Sequence, residues 1–231
     1  IALAAKRVAF GKYLNAGQTC IAPDYVLVHA NIRDAFVASV KEAVAAFYPN
    51  GDHAAMPTLV NDKHFARVMG LVQPEKVVFG GGGDAARRFI EPTLMQDVAW
   101  DDPVMREEIF GPVLPVLTYT DLDEAIAKIT ARPKPLALYL FTGDKAVEEK
   151  VLSRVSFGGG CVNDTVIHVA TSYMPFGGVG ESGMGGYHGK RSFATFTHYK
   201  SIVKKHTFMD LPIRYLPYTP IHEKLLHLFL K

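Results

Sequence analysis

Short apolar runs alternate with helical patterns along most of this chain, and that alternation restricts its fold more than any other feature. Strand patterns occupy residues 25–29, 76–79, 113–119, 136–141 and 161–163. Helical patterns occupy residues 1–14, a stretch that begins at Asn31, and residues 61–73, 120–130 and 144–155. Strands that alternate with helices usually pair in parallel. The sequence therefore predicts an α/β fold, with a parallel-rich sheet flanked by helices.

Several residues suggest where these elements end. Gly17 is expected to stop the first helix, and Asn31 to cap the second. Pro115 lies inside a strand pattern, where it suggests an edge strand or a bulge because it cannot donate a hydrogen bond. Residues 80–83 are four glycines and mark a turn. Residues 164–189 are glycine-rich and lack a clear period, which is typical of a long functional loop.

Composition narrows the class of partner. With 231 residues and 48% hydrophobic content, the chain can bury one substantial core. Its 25 basic and 23 acidic residues are spread along the sequence and do not form a nucleic-acid-binding patch. Apolar runs are too short for a membrane span. Without a charged patch for nucleic acid, a small-molecule partner is expected. Two cysteines make no disulfide framework, so we expect a reducing, cytoplasmic location.

Cys20 is the strongest candidate for chemistry. It follows small residues between the first helical pattern and the strand pattern at residues 25–29. A thiol at such a junction is held by rigid elements, while main-chain N–H groups beside it can bind a developing oxyanion. A lone cysteine is often only a buried structural residue. We assign that structural role to Cys161, which follows three glycines on an apolar strand pattern.

Three segments in order resemble motifs of the aldehyde dehydrogenase family. Residues 17–20 (GQTC) resemble its nucleophile motif, and residues 107–112 (EEIFGP) its cofactor-ribose motif. Residues 175–185 (PFGGVGESGMG) with 187–190 (YHGK) resemble the C-terminal loop of the class 3 branch. The resemblance extends to about residue 205. Within the branch, residues 131–139 and 160–165 are most similar to bacterial coniferyl aldehyde dehydrogenases.

The resemblance assigns roles to individual residues. Cys20 would attack an aldehyde to form a thiohemiacetal, which loses hydride to NAD or NADP and leaves a thioester for hydrolysis. Glu108 would accept hydrogen bonds from the nicotinamide ribose, and Phe110 would pack near the nicotinamide. Phe176 would line the aldehyde tunnel, and Asn163 would lie near its entrance. Without the resemblance, an isolated Glu-Glu pair such as the one that contains Glu108 would usually be solvated carboxylates on a short turn.

The resemblance also predicts a domain organisation. Residues 1–196 would be the thiol-bearing catalytic domain, 197–210 an oligomerisation arm with a strand at 199–204, and 211–231 a C-terminal tail. The complete protein would be a homodimer in which this arm crosses between subunits. The family's N-terminal dinucleotide-binding domain is absent from these 231 residues, so we expect the chain alone to be inactive.

Other functions remain open from the sequence. Residues 178–183 fit G-x-G-x-x-G, but the strand, apolar helix and acidic residue that a dinucleotide fold needs are missing around them. His222, Glu223 and His227 resemble a zinc-protease motif with one residue too many, so we predict no metal. A thiol hydrolase that uses Cys20 is conceivable, although no histidine is nominated as its base. A non-enzymatic dimerisation fragment is the remaining alternative.

Overall fold

The computed structural model describes residues 1–229 and divides the chain into two compact units. The first unit is Ile1–Thr195, and the second begins at Phe196. The first unit holds Cys20 and every other residue assigned above to the site. None of the helices in the described residues is long and apolar enough to cross a membrane.

The first unit contains alternating helices and strands, in agreement with the predicted α/β class. Its helices are α1 (Ala2–Tyr13), α2 (Arg33–Phe47), α3 (Asp62–Met69), α4 (Leu122–Thr130), α5 (Lys145–Arg154) and α6 (Gly189–Thr195). Its strands are β1 (Val26–His29), β2 (Val77–Phe79), β3 (Gly83–Asp84), β4 (Phe89–Ile90), β5 (Thr93–Met95), β6 (Val113–Tyr119), β7 (Ala137–Leu140) and β8 (Gly159–Val162).

The main sheet has the order β1-β6-β5-β2. β6 pairs in parallel with β1 and β5, whereas β2 pairs antiparallel with β5. β7 and β8 form a separate parallel pair, and β3 and β4 an antiparallel one. The sheet is thus mixed but mostly parallel, which confirms the predicted fold class. The short strands β3, β4 and β5 were not predicted from the sequence.

Both faces of the main sheet are covered. Leu114 and Val116 of β6 join a cluster with α1 and α2. Val113 and Leu117 join a second cluster with Val68 of α3 on the other side. Residues 113–117 are all buried because both faces of β6 are covered. This explains why the strand is apolar at successive positions.

The expectation that residues 113–119 form an edge strand or bulge was wrong, since β6 has a neighbour on each side. Residues 113–115 pair with β5, whereas pairing with β1 starts at Val116. Pro115 lies at this changeover between the two neighbours. The strand therefore tolerates a residue without an N–H in the middle of the sheet.

Three helix boundaries also differ from expectation. α1 ends at Tyr13, before Gly17. Asn31 does not cap α2; it lies in a 3-10 turn, where its main-chain N–H donates to Nδ1 of His29, and α2 begins at Arg33. α3 ends at Met69, and the Asn61 side chain caps its start by accepting from the His64 N–H. α1 and α3 thus end earlier, and α2 begins later, than the side-chain signals suggested.

The second unit contains helix α7 (Pro220–Phe229). Residues 199–204 form no strand ladder within the described chain, so the predicted oligomerisation strand is not seen here. A strand that crosses between subunits pairs only with a second copy, and it stays a prediction. Residues 230–231 of the predicted tail lie outside the described residues.

Candidate active site

The turn that carries Cys20 begins where α1 ends. Asn15, Ala16 and Gly17 follow with φ of 52°, 53° and 71°, a left-handed run that reverses the chain. Left-handed backbone is unfavourable for residues other than glycine, so neighbouring contacts must hold it. The Asn15 side-chain amide donates to the Gln18 carbonyl at 3.0 Å, and the Gln18 N–H donates to the Asn15 carbonyl at 3.1 Å.

Gln18 fastens the turn to a distant segment. Its Nε2 donates to the Thr58 carbonyl at 3.1 Å, and its Oε1 accepts from the Val60 N–H at 2.9 Å. Leu59 between them is buried in the core. The residue two positions before Cys20 is therefore anchored through both ends of its side-chain amide.

Cys20 itself is exposed, and its thiol is not in a disulfide. Within residues 1–229, the Cys20 main-chain N–H donates to no acceptor. A free N–H beside the sulfur is the group needed to bind an oxyanion formed on the attacked carbonyl. No described histidine hydrogen-bonds Cys20, so the structure gives the thiol-hydrolase hypothesis no support.

The loop at residues 107–112, here called the Glu108 loop, lies directly against the turn at residues 15–20, here called the Cys20 turn, and Gly17 is the point of contact. A Cβ placed on Gly17 would overlap the main-chain carbonyl of Gly111 and lie 3.1 Å from the Lys12 carbonyl. A Cβ on Gly111 would in turn lie 2.7 Å from Cγ1 of Val68 in α3. Two glycines thus allow the turn, the loop and α3 to stack without intervening side chains.

Helix α3 holds the Glu108 loop through two side chains. Arg67 donates to the Glu107 carboxylate at 2.8 Å, to the Glu108 carbonyl at 3.2 Å and also to the Ile109 carbonyl. His64 Nε2 lies 2.7 Å from the Phe110 carbonyl oxygen. Phe110 has φ of 50°, so the loop is held in a conformation that an isolated chain would avoid.

The Glu108 side chain is exposed, whereas its neighbour Ile109 is fully buried. Asp24 Oδ1 accepts from the Ile109 N–H at 2.9 Å and links the loop to the segment after Cys20. The pKa of Glu108 is raised, mainly by partial desolvation and to a lesser extent by the negative charge of Asp24. The positive charges of Lys12 and Arg67 oppose that rise. The Glu108 carboxylate therefore interacts with three charged side chains, those of Asp24, Lys12 and Arg67.

Phe176 lies in the neighbourhood of the thiol turn. It is buried in a cluster with Ile21, the residue after Cys20, and with Val166. Its ring lies 5.8 Å from that of His168, 5.6 Å from that of Tyr187 and 6.2 Å from that of His188. Phe176 thus belongs to a largely buried aromatic cluster that packs beside the thiol-bearing turn, and its role in a tunnel stays a prediction.

Asn163 is bound through its side chain to Thr142. Its Oδ1 accepts from the Thr142 N–H at 2.9 Å, and its Nδ2 donates to the Thr142 carbonyl at 2.8 Å. The backbone is left-handed, with φ of 59°, and its carbonyl accepts from Arg7. These contacts fix the chain that follows β8.

Cys161 is partly buried, and its Sγ lies 3.6 Å from Nδ1 of His168. Burial raises the pKa of the Cys161 thiol and lowers that of His168, so both groups are favoured in their neutral forms. An imidazole beside this thiol was not foreseen. Because burial disfavours the thiolate, the contact does not activate Cys161.

No group of three or more potential metal ligands is arranged as a metal site in the described part of the chain. Residues that matter to the geometry but were not singled out from the sequence are Lys12, Asp24, His64 and Arg67, while Gln18 was named only as part of the motif at residues 17–20. Lys12 could have been recognised from the sequence, because its helical spacing from Val8 and Ala9 places a lysine on the buried apolar face of α1. Asp24 and Arg67 act on a loop 85 and 41 or 42 positions away, which local patterns cannot show.

Comparison with known proteins identifies relatives over most of the chain. The aldehyde dehydrogenase family model matches residues 1–202. The 4,4'-diaponeurosporen-aldehyde dehydrogenase of Staphylococcus aureus is 48% identical over 222 residues, which cover 94% of this chain and 48% of that protein. The dimeric NADP-preferring aldehyde dehydrogenase of Canis lupus familiaris is 45% identical over 221 residues, which cover 93% of this chain and 48% of that protein.

Solved structures agree with these relatives. Staphylococcus aureus AldH in a substrate-bound state superposes with a TM-score of 0.93 at 46% identity, over 99% of this chain and 51% of that one. A Mycobacterium tuberculosis aldehyde dehydrogenase complexed with NAD+ has a TM-score of 0.78 at 29% identity, over 90% of this chain and 45% of that one. The chain thus spans about half the length of these proteins.

Alanine at Gly17 should destabilise the fold far more than alanine at Gly51. Both glycines have φ of 71°, but a Cβ on Gly51 meets nothing within 4 Å. Gly51→Ala should cost about 1–2 kcal/mol for the left-handed backbone. Gly17→Ala should lower the free energy of unfolding by about 1–3 kcal/mol more than Gly51→Ala, because the loop at residues 107–112 must move away from the new Cβ. Urea unfolding of the 231-residue chain measures both, and equal losses would contradict the close contact with Gly111.

Iodoacetamide should label Cys20 at least about tenfold faster than Cys161 in the folded chain, because Cys20 is exposed and burial raises the pKa of the Cys161 thiol. Peptide mapping after a short reaction measures the two rates. Urea-unfolded chain is the control, in which the difference should shrink. Faster labelling of Cys161 in the folded chain would exclude Cys20 as the reactive thiol.

Proposed function

Because this chain belongs to the aldehyde dehydrogenase family, we propose that it is the thiol-bearing catalytic part of an enzyme that oxidises an aldehyde to a carboxylic acid with NAD or NADP. The observation that carries the proposal is an exposed thiol on an anchored turn, with a free main-chain N–H and the Glu108 loop in direct contact. The rest of the cofactor site would come from residues that correspond to the half of the relatives' length that this chain does not span.

Cys20 supplies the nucleophile. Its thiolate attacks the aldehyde carbon, and the oxygen becomes an oxyanion beside the Cys20 N–H. Collapse of this thiohemiacetal expels hydride and leaves a thioester on Cys20, which water then cleaves to the acid. The nicotinamide cofactor, when bound, supplies the hydride acceptor.

Glu108 and Phe110 are proposed to hold the cofactor. A carboxylate only accepts hydrogen bonds, which suits the paired hydroxyls of a ribose. Glu108 is exposed on a loop whose backbone is fixed by Arg67 and His64, so its position is defined before the ligand arrives. The partly buried Phe110 ring offers an apolar surface for the nicotinamide. The residues present therefore fit NAD or NADP.

For the substrate, we propose an aromatic or phenylpropenyl aldehyde such as coniferaldehyde. The support is the aromatic cluster of Phe176, His168, Tyr187 and His188 beside the Cys20 turn, of which Tyr187 is exposed and His188 partly exposed. Flat rings pack well against such a cluster. Asn163 would contribute at the entrance by fixing the loop, since both ends of its amide bind Thr142.

The complete protein is proposed to be a cytoplasmic homodimer. Several relatives are named as dimeric, including those of Canis lupus familiaris and Rattus norvegicus. The arm at residues 197–210 is the proposed crossing element. Two unpaired cysteines are consistent with a reducing compartment.

In the complete protein, Glu108→Gln should raise the KM for NADP by about tenfold to a hundredfold, because hydrogen bonds to a charged acceptor are lost. Alkylation of Cys20 should stay nearly unchanged. Glu107→Gln is the matched comparison, since glutamine still accepts from Arg67 and the change should be under about threefold. Loss of alkylation together with cofactor affinity would indicate that Glu108 is structural.

The same complete protein should prefer coniferaldehyde over acetaldehyde by up to about a hundredfold in kcat/KM. Burial of the aromatic ring in an apolar tunnel would stabilise the bound coniferaldehyde transition state. Phe176→Ala should reduce that preference without reducing acetaldehyde turnover to the same extent. Steady-state kinetics with both aldehydes test this. Equal specificity constants would exclude the proposed substrate class while leaving aldehyde oxidation in place.

A further inference from the structure

A lysine is buried next to the proposed cofactor loop. Lys12 lies in the last turn of α1, on the same face as Val8 and Ala9, and is only 1% exposed. An ammonium group in such a place is costly unless opposite charges compensate it. An apolar residue would fill this helix position at no electrostatic cost, so the lysine calls for an explanation.

The compensating charges are Asp24 and Glu108. Both carboxylates interact electrostatically with Lys12. Asp24 Oδ1 also accepts from the Ile109 N–H at 2.9 Å, which places it against the residue next to Glu108. The end of α1 reaches the same loop through its backbone, since a Cβ on Gly17 would meet both the Lys12 and the Gly111 carbonyls.

We propose that Lys12 is a positioning residue for Glu108: its buried ammonium attracts the Glu108 carboxylate and keeps it directed at the cofactor ribose. The inference rests on the proposed function, and it adds a second support for the loop besides Arg67 of α3.

Because Lys12 can lose its proton, its attraction for the Glu108 carboxylate depends on pH. Burial lowers the pKa of Lys12 to about 8, and Asp24 and Glu108 oppose that lowering. The charged groups around Glu108 are Lys12, Asp24 and Arg67. Below pH 8 the ammonium is present and lowers the pKa of Glu108. As the pH rises through about 8, Lys12 loses its proton and its attraction for the Glu108 carboxylate disappears.

The test is the affinity of the complete protein for NADPH, measured by fluorescence from about pH 6 to about pH 10. The unaltered protein should bind about tenfold more weakly above pH 8 than below it. Lys12→Met should bind about tenfold more weakly at pH 7 and show no step. Lys12→Arg should restore affinity at pH 7 and also show no step, because arginine stays charged.

Lys6→Met is the matched control, because Lys6 lies on the same helix but is exposed. It should keep both the affinity and the step. Lys12→Met should leave the thermal midpoint unchanged or raised, since it replaces a buried amine by an apolar chain of similar length. It should also leave Cys20 alkylation unchanged. A fall in thermal midpoint, alkylation and affinity together would overturn the inference in favour of a structural role.

The two proposals fail separately. If Glu108→Gln weakens NADPH binding but Lys12→Met does not, the role of Lys12 is excluded and the proposed function stands. If Glu108→Gln leaves binding intact, the ribose assignment itself is wrong, and the Lys12 inference falls with it. A step near pH 8 that persists in Lys12→Met would assign the titration to another group and overturn the inference.

Discussion

The close approach of Gly17 to the Gly111 carbonyl is the contact on which the proposed site depends. It joins the turn that presents Cys20 to the loop that presents Glu108, and it leaves no room for a side chain. The left-handed backbone at Gly17 and the left-handed Asn15 and Ala16 before it bring the chain into this position. One steric constraint therefore sets the spacing of the nucleophile and the proposed cofactor loop.

Other interactions hold the two segments in the conformations that this contact requires. Gln18 fixes the thiol turn to residues 58–60, and Arg67 and His64 fix the Glu108 loop to α3. Phe110 has φ of 50°, which is unfavourable for a bulky residue and persists because these hydrogen bonds surround it. A preorganised site of this kind loses little conformational entropy when a ligand binds.

Local patterns predicted much of the scaffold and the site motifs, but not their mutual arrangement. The apolar run at residues 113–117 identified β6, yet Pro115 misled its placement because one residue was weighed above burial on both faces. Asn31 failed as a cap because a 3-10 turn precedes α2. Cys20 and Glu108 were recognisable by resemblance, whereas Asp24 and Arg67 act across the fold and leave no periodic signal.

The central claim is that the Cys20 turn and the Glu108 loop form one cofactor-dependent site. A crystal structure of the complete protein with NADP bound tests it most directly. The claim predicts Glu108 carboxylate oxygens about 3 Å from the nicotinamide ribose hydroxyls, and the nicotinamide ring beside Phe110 on the side of Cys20. A ribose bound by other residues, with Glu108 turned to solvent, would contradict it.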